Sequence, residues 1–74
     1  MQISRELVTW IDMLALANGL RTRASIAQAC GCSEAYISLI LNGRRPVPDW
    51  LVDKLEDVLD LKRGTIRRRY EQVA

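Results

Sequence analysis

The sequence predicts an all-α fold: a compact, bundle-like domain of five helices. Three observations carry this. Apolar residues recur at helical spacing from Ile3 to Tyr70. The first three periodic runs open on Ser or Thr and close on Gly, the punctuation of capped helices. β-branched residues never alternate with polar ones over a useful length, which argues against strands. With 74 residues the chain is expected to form one domain over residues 1–74, and so short a chain buries only about 60 % of its unfolded surface. Its 49 % hydrophobic and 27 % charged residues suit a folded domain rather than a disordered tail.

The first helix is predicted over Arg5–Ala17, capped by Ser4. Ile3, Leu7, Trp10, Ile11, Leu14 and Ala17 form its apolar stripe, and Asn18-Gly19 ends it. The second runs from Arg23 to Cys30, with Thr22 as N-cap and Ile26, Ala27 and Cys30 facing inward. Gly31 supplies the permissive backbone of a tight turn. Ser33 caps the third helix, which reaches Leu41 through Ile37 and Ile40 and stops at Asn42-Gly43. Pro48 suits the first position of the fourth helix, whose apolar face is Leu51, Val52, Leu55, Val58 and Leu59, and which ends near Asp60. Lys62-Arg63-Gly64 turns the chain. Thr65 is a candidate cap for a short basic helix over about 65–72, docked through Ile66 and Tyr70.

The net charge of +2 hides an uneven distribution. Asp49 to Asp60 carries five acids against Lys54, a net −4. Leu61 to the end carries five cations against Glu71, a net +4. Such a chain could turn its acids away from a polyanion and its cations toward it; the alternative is a solvated surface of mixed sign. Cys30 and Cys32 flank one glycine. That spacing is too tight for an ordinary disulfide, and no histidine completes a Cys/His zinc set, so reduced thiols and no metal are expected. Cys30 reads as a small buried hydrophobe and Cys32 as a turn residue. The N-terminal region has no basic run followed by an apolar one, and no stretch is long enough to span a bilayer. A cytoplasmic protein without membrane association is the expectation. Without histidine, a glycine-rich phosphate loop or a second polar cluster, no reaction class suggests itself, and neither enzyme activity nor a cofactor is expected. The acids Asp12, Asp49, Asp53, Glu56, Asp57 and Asp60 read as one solvated face.

Ser25 to Arg45 carries a further pattern. Ala27 is small where two steeply crossing helices must approach. Gly31 stands in the short connection. Ile26, Ile37 and Ile40 would lock the second helix of the pair, and Asn42, Gly43 and Arg44 close the unit. In this joint spacing the sequence resembles the helix-turn-helix of the phage repressor and Cro-like family, the lambda-repressor-like DNA-binding domain, with the motif over about residues 23–41. The likeness extends over the five-helix layout from about residue 4 to 72.

The resemblance implies sequence-selective binding of double-stranded DNA by a small phage or prophage transcriptional regulator that pairs as a homodimer on two-fold sites. It places Glu34, Ala35, Tyr36, Ser38 and Leu39 toward the groove. It places Arg21, Arg23, Ser33, Asn42, Arg44 and Arg45 along the DNA backbone. Arg67, Arg68 and Arg69 are additional candidates for basic contacts, or serve only the solubility of the last helix. One departure stands out: no Arg, Lys, Gln or Asn lies between Ser33 and Leu41, although these are the best readers of base edges. Glu34 can accept only from cytosine, and Ala35 and Leu39 can only meet thymine methyls. Readout would then lean on DNA shape and flanking arginines. Two other readings stay open. One is a protein-interaction module that docks a protein partner on the recognition-helix face. The other is an accessory DNA-binding domain of a replication or recombination protein.

Overall fold

The computed structural model describes the backbone of residues 1–73 and the side chains of residues 1–71. Five helices follow in order: α1 Arg5–Ala17, α2 Arg23–Cys30, α3 Glu34–Leu41, α4 Asp49–Val58 and α5 Thr65–Val73. No strand occurs among the described residues. The chain is an all-α helix-turn-helix fold. No single described helix is long and apolar enough to cross a membrane.

Local chemistry sets the helix starts. The hydroxyls of Ser4, Thr22 and Ser33 each accept a backbone N–H three residues on, from Leu7, Ser25 and Tyr36 at 3.1 Å. At Thr22 the cap is reciprocal, because Ser25 Oγ accepts the Thr22 N–H at 3.0 Å. The helix ends repeat one pattern as well. The N–H of Leu20, Cys32, Arg44 and Leu61 each bonds a carbonyl five residues back, on Ala15, Ala27, Leu39 and Glu56. The residue before each of these is left-handed: a glycine in the first three cases, and Asp60, with φ 58°, in the fourth. Two boundaries differ from the sequence expectation. Pro48 is the N-cap of α4 rather than its first residue, and α4 stops at Val58 because Asp60 leaves the helical region.

The core takes Leu7, Ile11 and Ala15 from α1, Ile26, Ala27 and Cys30 from α2, and Ile37, Ile40 and Leu41 from α3. Leu51, Val52, Leu55 and Leu59 enter from the α4 side, with Val47 and Ile66 filling the ends. On α1 the buried small residue is Ala15, and the expected Ala17 is exposed, because the core-facing side turns with Leu7 and Ile11. Leu14 and Trp10 are only half-buried. A second correction concerns Glu56, read from sequence as part of a solvated face. It is 1 % exposed and accepts the Ile66 N–H at the start of α5. Thr65 is the first residue of α5 and not its cap; its hydroxyl donates to the Lys62 carbonyl at 2.6 Å.

Candidate nucleic-acid interface

The α2–Gly31–α3 unit bends through 107° between its helix axes, within the range of a helix-turn-helix. Ala27 sits at this crossing, 2 % exposed, and its carbonyl accepts the Cys32 N–H at 3.0 Å. Gly31 makes the turn at φ 75°, which a β-carbon would disfavour. Ile37 and Ile40 are fully buried and anchor α3 along its inner side. Its outer side then presents Ser33, Glu34 and Ala35 to solvent, with Tyr36, Ser38 and Leu39 half-buried.

Two of these side chains are already engaged. Ser33 Oγ accepts the Tyr36 N–H and caps α3. The Tyr36 ring stacks on Trp50 of α4, with centroids 6.1 Å apart and planes 9° apart. This offset stack fixes the Tyr36 ring against α4 and leaves Trp50 half-exposed beside the N-terminal end of α3. Trp50 has no place in the motif pattern; from sequence it reads, with Val58 and Leu61, either as an exposed apolar residue that could supply a small dimer interface or as core, and of the three only Trp50 is exposed.

Asn42, Arg44 and Arg45 are exposed at the far end of α3. The Arg44 backbone is tied to α3 through its N–H to the Leu39 carbonyl at 3.0 Å. The same loop is held from the other side by the N-terminal segment. Gln2 Nε2 donates to the Gly43 carbonyl at 2.9 Å, the Met1 amine donates to the Val47 carbonyl at 3.1 Å, and the Val47 N–H donates back to Met1. The two arginines therefore project from a braced loop, and neither makes an ion pair among the described residues.

The arginines of the other predicted sites are committed differently. Arg23, at the start of α2, bonds Asp12 of α1 at 3.1 Å, so its conflict with the helix dipole is offset within the fold. Its second guanidinium nitrogen, Nη1, is buried without a partner. A depression of about 260 Å³ gathers Arg23 with Ser4, Arg5 and Asn42. Arg5 is not among the sequence-predicted contacts, although it is the first residue of α1 as Arg23 is of α2. Arg21 is exposed and lines a separate cleft with Leu16 and Leu20 of the α1 end.

The opposite charge blocks near the C-terminus meet each other instead of segregating. Arg67 bonds Asp49 at 2.8 Å and lies 3.9 Å from Asp53; Arg63 reaches Asp53 at 3.2 Å and Asp57 at 3.8 Å. Arg69 lies over the Trp10 ring at 5.2 Å. Of the three arginines at 67–69, only Arg68 is without such a partner among the described residues. Both cysteines are free thiols. Burial, with the neighbouring Cys32 adding to it, pushes the Cys30 thiol from its ordinary 9.0 up to about 11, and burial raises Cys32 as well.

Comparison with known proteins adds one positive finding. A family model described as a helix-turn-helix domain matches residues 6–69. Neither the curated proteins nor the solved structures give a match. The matched span takes in α1 from its second residue, α2 to α4 and half of α5, and contains the 107° bend between α2 and α3. The chain belongs to the helix-turn-helix domain family.

Proposed function

We propose that this single domain binds duplex DNA sequence-selectively, as a small transcriptional regulator of the phage or prophage repressor type. The observation that carries the reading is the placement of Arg44 and Arg45: two cations without an ion pair among the described residues, on a braced loop at the end of α3. Ser33 and Asn42 at the two ends of α3, with Arg5 beside the adjoining depression, extend the candidate backbone contacts, and Arg23 is a weaker candidate because a phosphate would compete with Asp12 for it. Glu34, Ala35, Ser38 and Leu39 are the candidate groove face, with the Tyr36–Trp50 stack at its edge. Arg67 and Arg69 are weaker candidates, since a phosphate would compete with Asp49 and Trp10 for them.

The test is a titration of the whole chain against randomised duplex DNA at two salt concentrations, with selection of bound sites. An enriched motif is the expected result. Arg44→Ala should weaken binding to all sequences alike and lower the salt slope by roughly one charge. Binding without enrichment, or an unchanged slope, counts against the reading.

The half-exposed Trp50 stacked on Tyr36 favours a second reading, a protein-docking surface on the α3–α4 face. It predicts weak, motif-free DNA binding together with capture of a protein partner that Trp50→Ala abolishes.

A further inference from the structure

Three side chains of α1 form a diagonal row. Trp10, Met13 and Leu16 stand three residues apart, a spacing that carries a row slowly across a helix surface. Leu7, Ile11 and Ala15 take the core side, which leaves Trp10 half-buried and Met13 and Leu16 exposed at 66 % and 61 %. The row joins two clefts. At one end Trp10 lines a cleft of about 200 Å³ with Thr65, Arg68 and Arg69 of α5. At the other end Leu16 lines a cleft of about 330 Å³ that also takes in Leu20, Arg21 and Ile26. Among the described residues, none from α3 lines either cleft. We propose that the row and its two clefts are a docking surface for an acidic amphipathic helix of a partner protein, which lays apolar side chains on the row and carboxylates on the flanking arginines.

Charge complementarity selects this occupant. Arg21 is exposed beside one cleft and Arg68 beside the other, and neither makes an ion pair among the described residues. Arg69, also exposed, lies over the Trp10 ring at 5.2 Å, a contact that leaves its charge without a carboxylate. Asp12 is the one acid lining either cleft among the described residues, and Arg23 already holds it at 3.1 Å. The apolar row is therefore bordered by cations at both ends, the inverse of an acid-flanked apolar helix face. Glu6 lies one turn before Trp10, so the partner's carboxylates fit at the clefts and not along the first turn of α1. Other occupants fit less well. A second copy of this surface would set arginine against arginine. Duplex DNA would use the arginines and leave Met13 and Leu16 in water. An anionic lipid surface would use both, yet it offers no side chains to fill the clefts. The row spans about two helical turns. That is short of the about 800 Å² per partner of a stable complex, so the docking is transient. On this assignment Arg21 and Arg68 serve the partner and leave the set of DNA contacts.

Selection of a displayed library of random peptides of about 16 residues on the whole chain tests the docking. The expected result is enrichment of peptides with apolar residues at helical spacing flanked by Asp or Glu. A synthetic copy of the enriched peptide, titrated into the chain by two-dimensional NMR, should shift amides of α1, residues 20–23 and α5 and leave those of α3 in place. Met13→Ser/Leu16→Ser and Arg21→Glu/Arg68→Glu should each weaken binding by about tenfold or more. All four positions are exposed, and circular dichroism verifies that each variant folds. No enrichment, enrichment of basic peptides, shifts on the α3–α4 face alone, or a double variant that binds as tightly as the original chain overturns the proposal. So does equally tight binding to vesicles of phosphatidylglycerol, which assigns the row to a lipid surface. DNA selection is measured separately. A chain that binds the peptide but selects no DNA motif refutes the DNA reading alone, and one that selects a motif but no peptide refutes this docking alone.

Discussion

Glu56 of α4 accepts the backbone N–H of Ile66, the second residue of α5, at 3.0 Å, with 1 % of its surface exposed. A carboxylate at a helix N-terminus satisfies a free N–H and faces the positive end of the helix dipole. It substitutes for the local cap that Thr65 does not provide. Glu56→Ala removes the acceptor and leaves the Ile66 N–H buried and unpaired. The expected loss is about 1–3 kcal/mol in chemical denaturation, together with faster amide exchange throughout α5. Unchanged α5 protection would show that Glu56 does not anchor the helix.

Asp60 gives a prediction of opposite sign. It is the one non-glycine residue with positive φ among the described residues, at the position that glycine fills after α1, α2 and α3. A β-carbon in the left-handed region costs energy that Asp tolerates better than most residues but still bears. Asp60→Gly should stabilise the fold by about 0.5–1 kcal/mol, while Asp60→Val should destabilise it by more than that. Both are read from the midpoint of thermal unfolding.

The helix borders were legible because their determinants are local. Ser4, Thr22 and Ser33 cap helices within three residues of themselves, and Gly19, Gly31 and Gly43 end them within five. What remained hidden is non-local. Glu56 sits at helical spacing among acids that do face solvent, and only the packing of α5 turns it into a cap. Arg23 looked free for a phosphate until α1 brought Asp12 to it. The bracing of the Arg44 loop depends on Gln2, more than forty residues away, with no periodic signal to announce it. On the candidate interface, sequence locates α3 and its exposed outer side and allows a partly buried Tyr36 ring packed on the second or fourth helix, but it does not identify Trp50 as the partner. That contact depends on the angle at which α4 leaves the loop.

The two thiols should separate in pH and rate. Cys30 is 4 % exposed and its thiol titrates near 11, so native Cys30 has almost no thiolate at pH 8. Half-exposed Cys32 should take up an alkylating reagent first, and Cys30 only through unfolding. The linkage sign follows from the raised value. Between about 9 and 11 the unfolded chain has lost the Cys30 proton and the folded one keeps it. This contribution to stability is therefore full below pH 9 and declines as pH rises toward 11. Cys30→Ala should flatten that part of the stability–pH curve. A wild-type curve that Cys30→Ala leaves unaltered in shape would refute the assignment.

Glu34 decides the orientation of α3. It is exposed at the first position of the helix, where its charge favours the helix dipole but would repel a phosphate backbone. If the outer side of α3 enters the major groove, Glu34 is the one charged side chain there, and cytosine is the base whose amino group it can meet. Glu34→Gln removes the repulsion and converts an acceptor-only group into one that can also donate, which suits adenine. Affinity for non-specific duplex should rise, and the selected motif should change near one base pair, by about 1–3 kcal/mol in preference. The helix should lose only a few tenths of a kcal/mol, since its Ser33 cap is untouched. Selection from randomised duplex with both proteins at one salt concentration reads both effects. If neither affinity nor motif moves, Glu34 does not face DNA, and the α3–α4 face carrying Tyr36 and Trp50 is left for a protein partner.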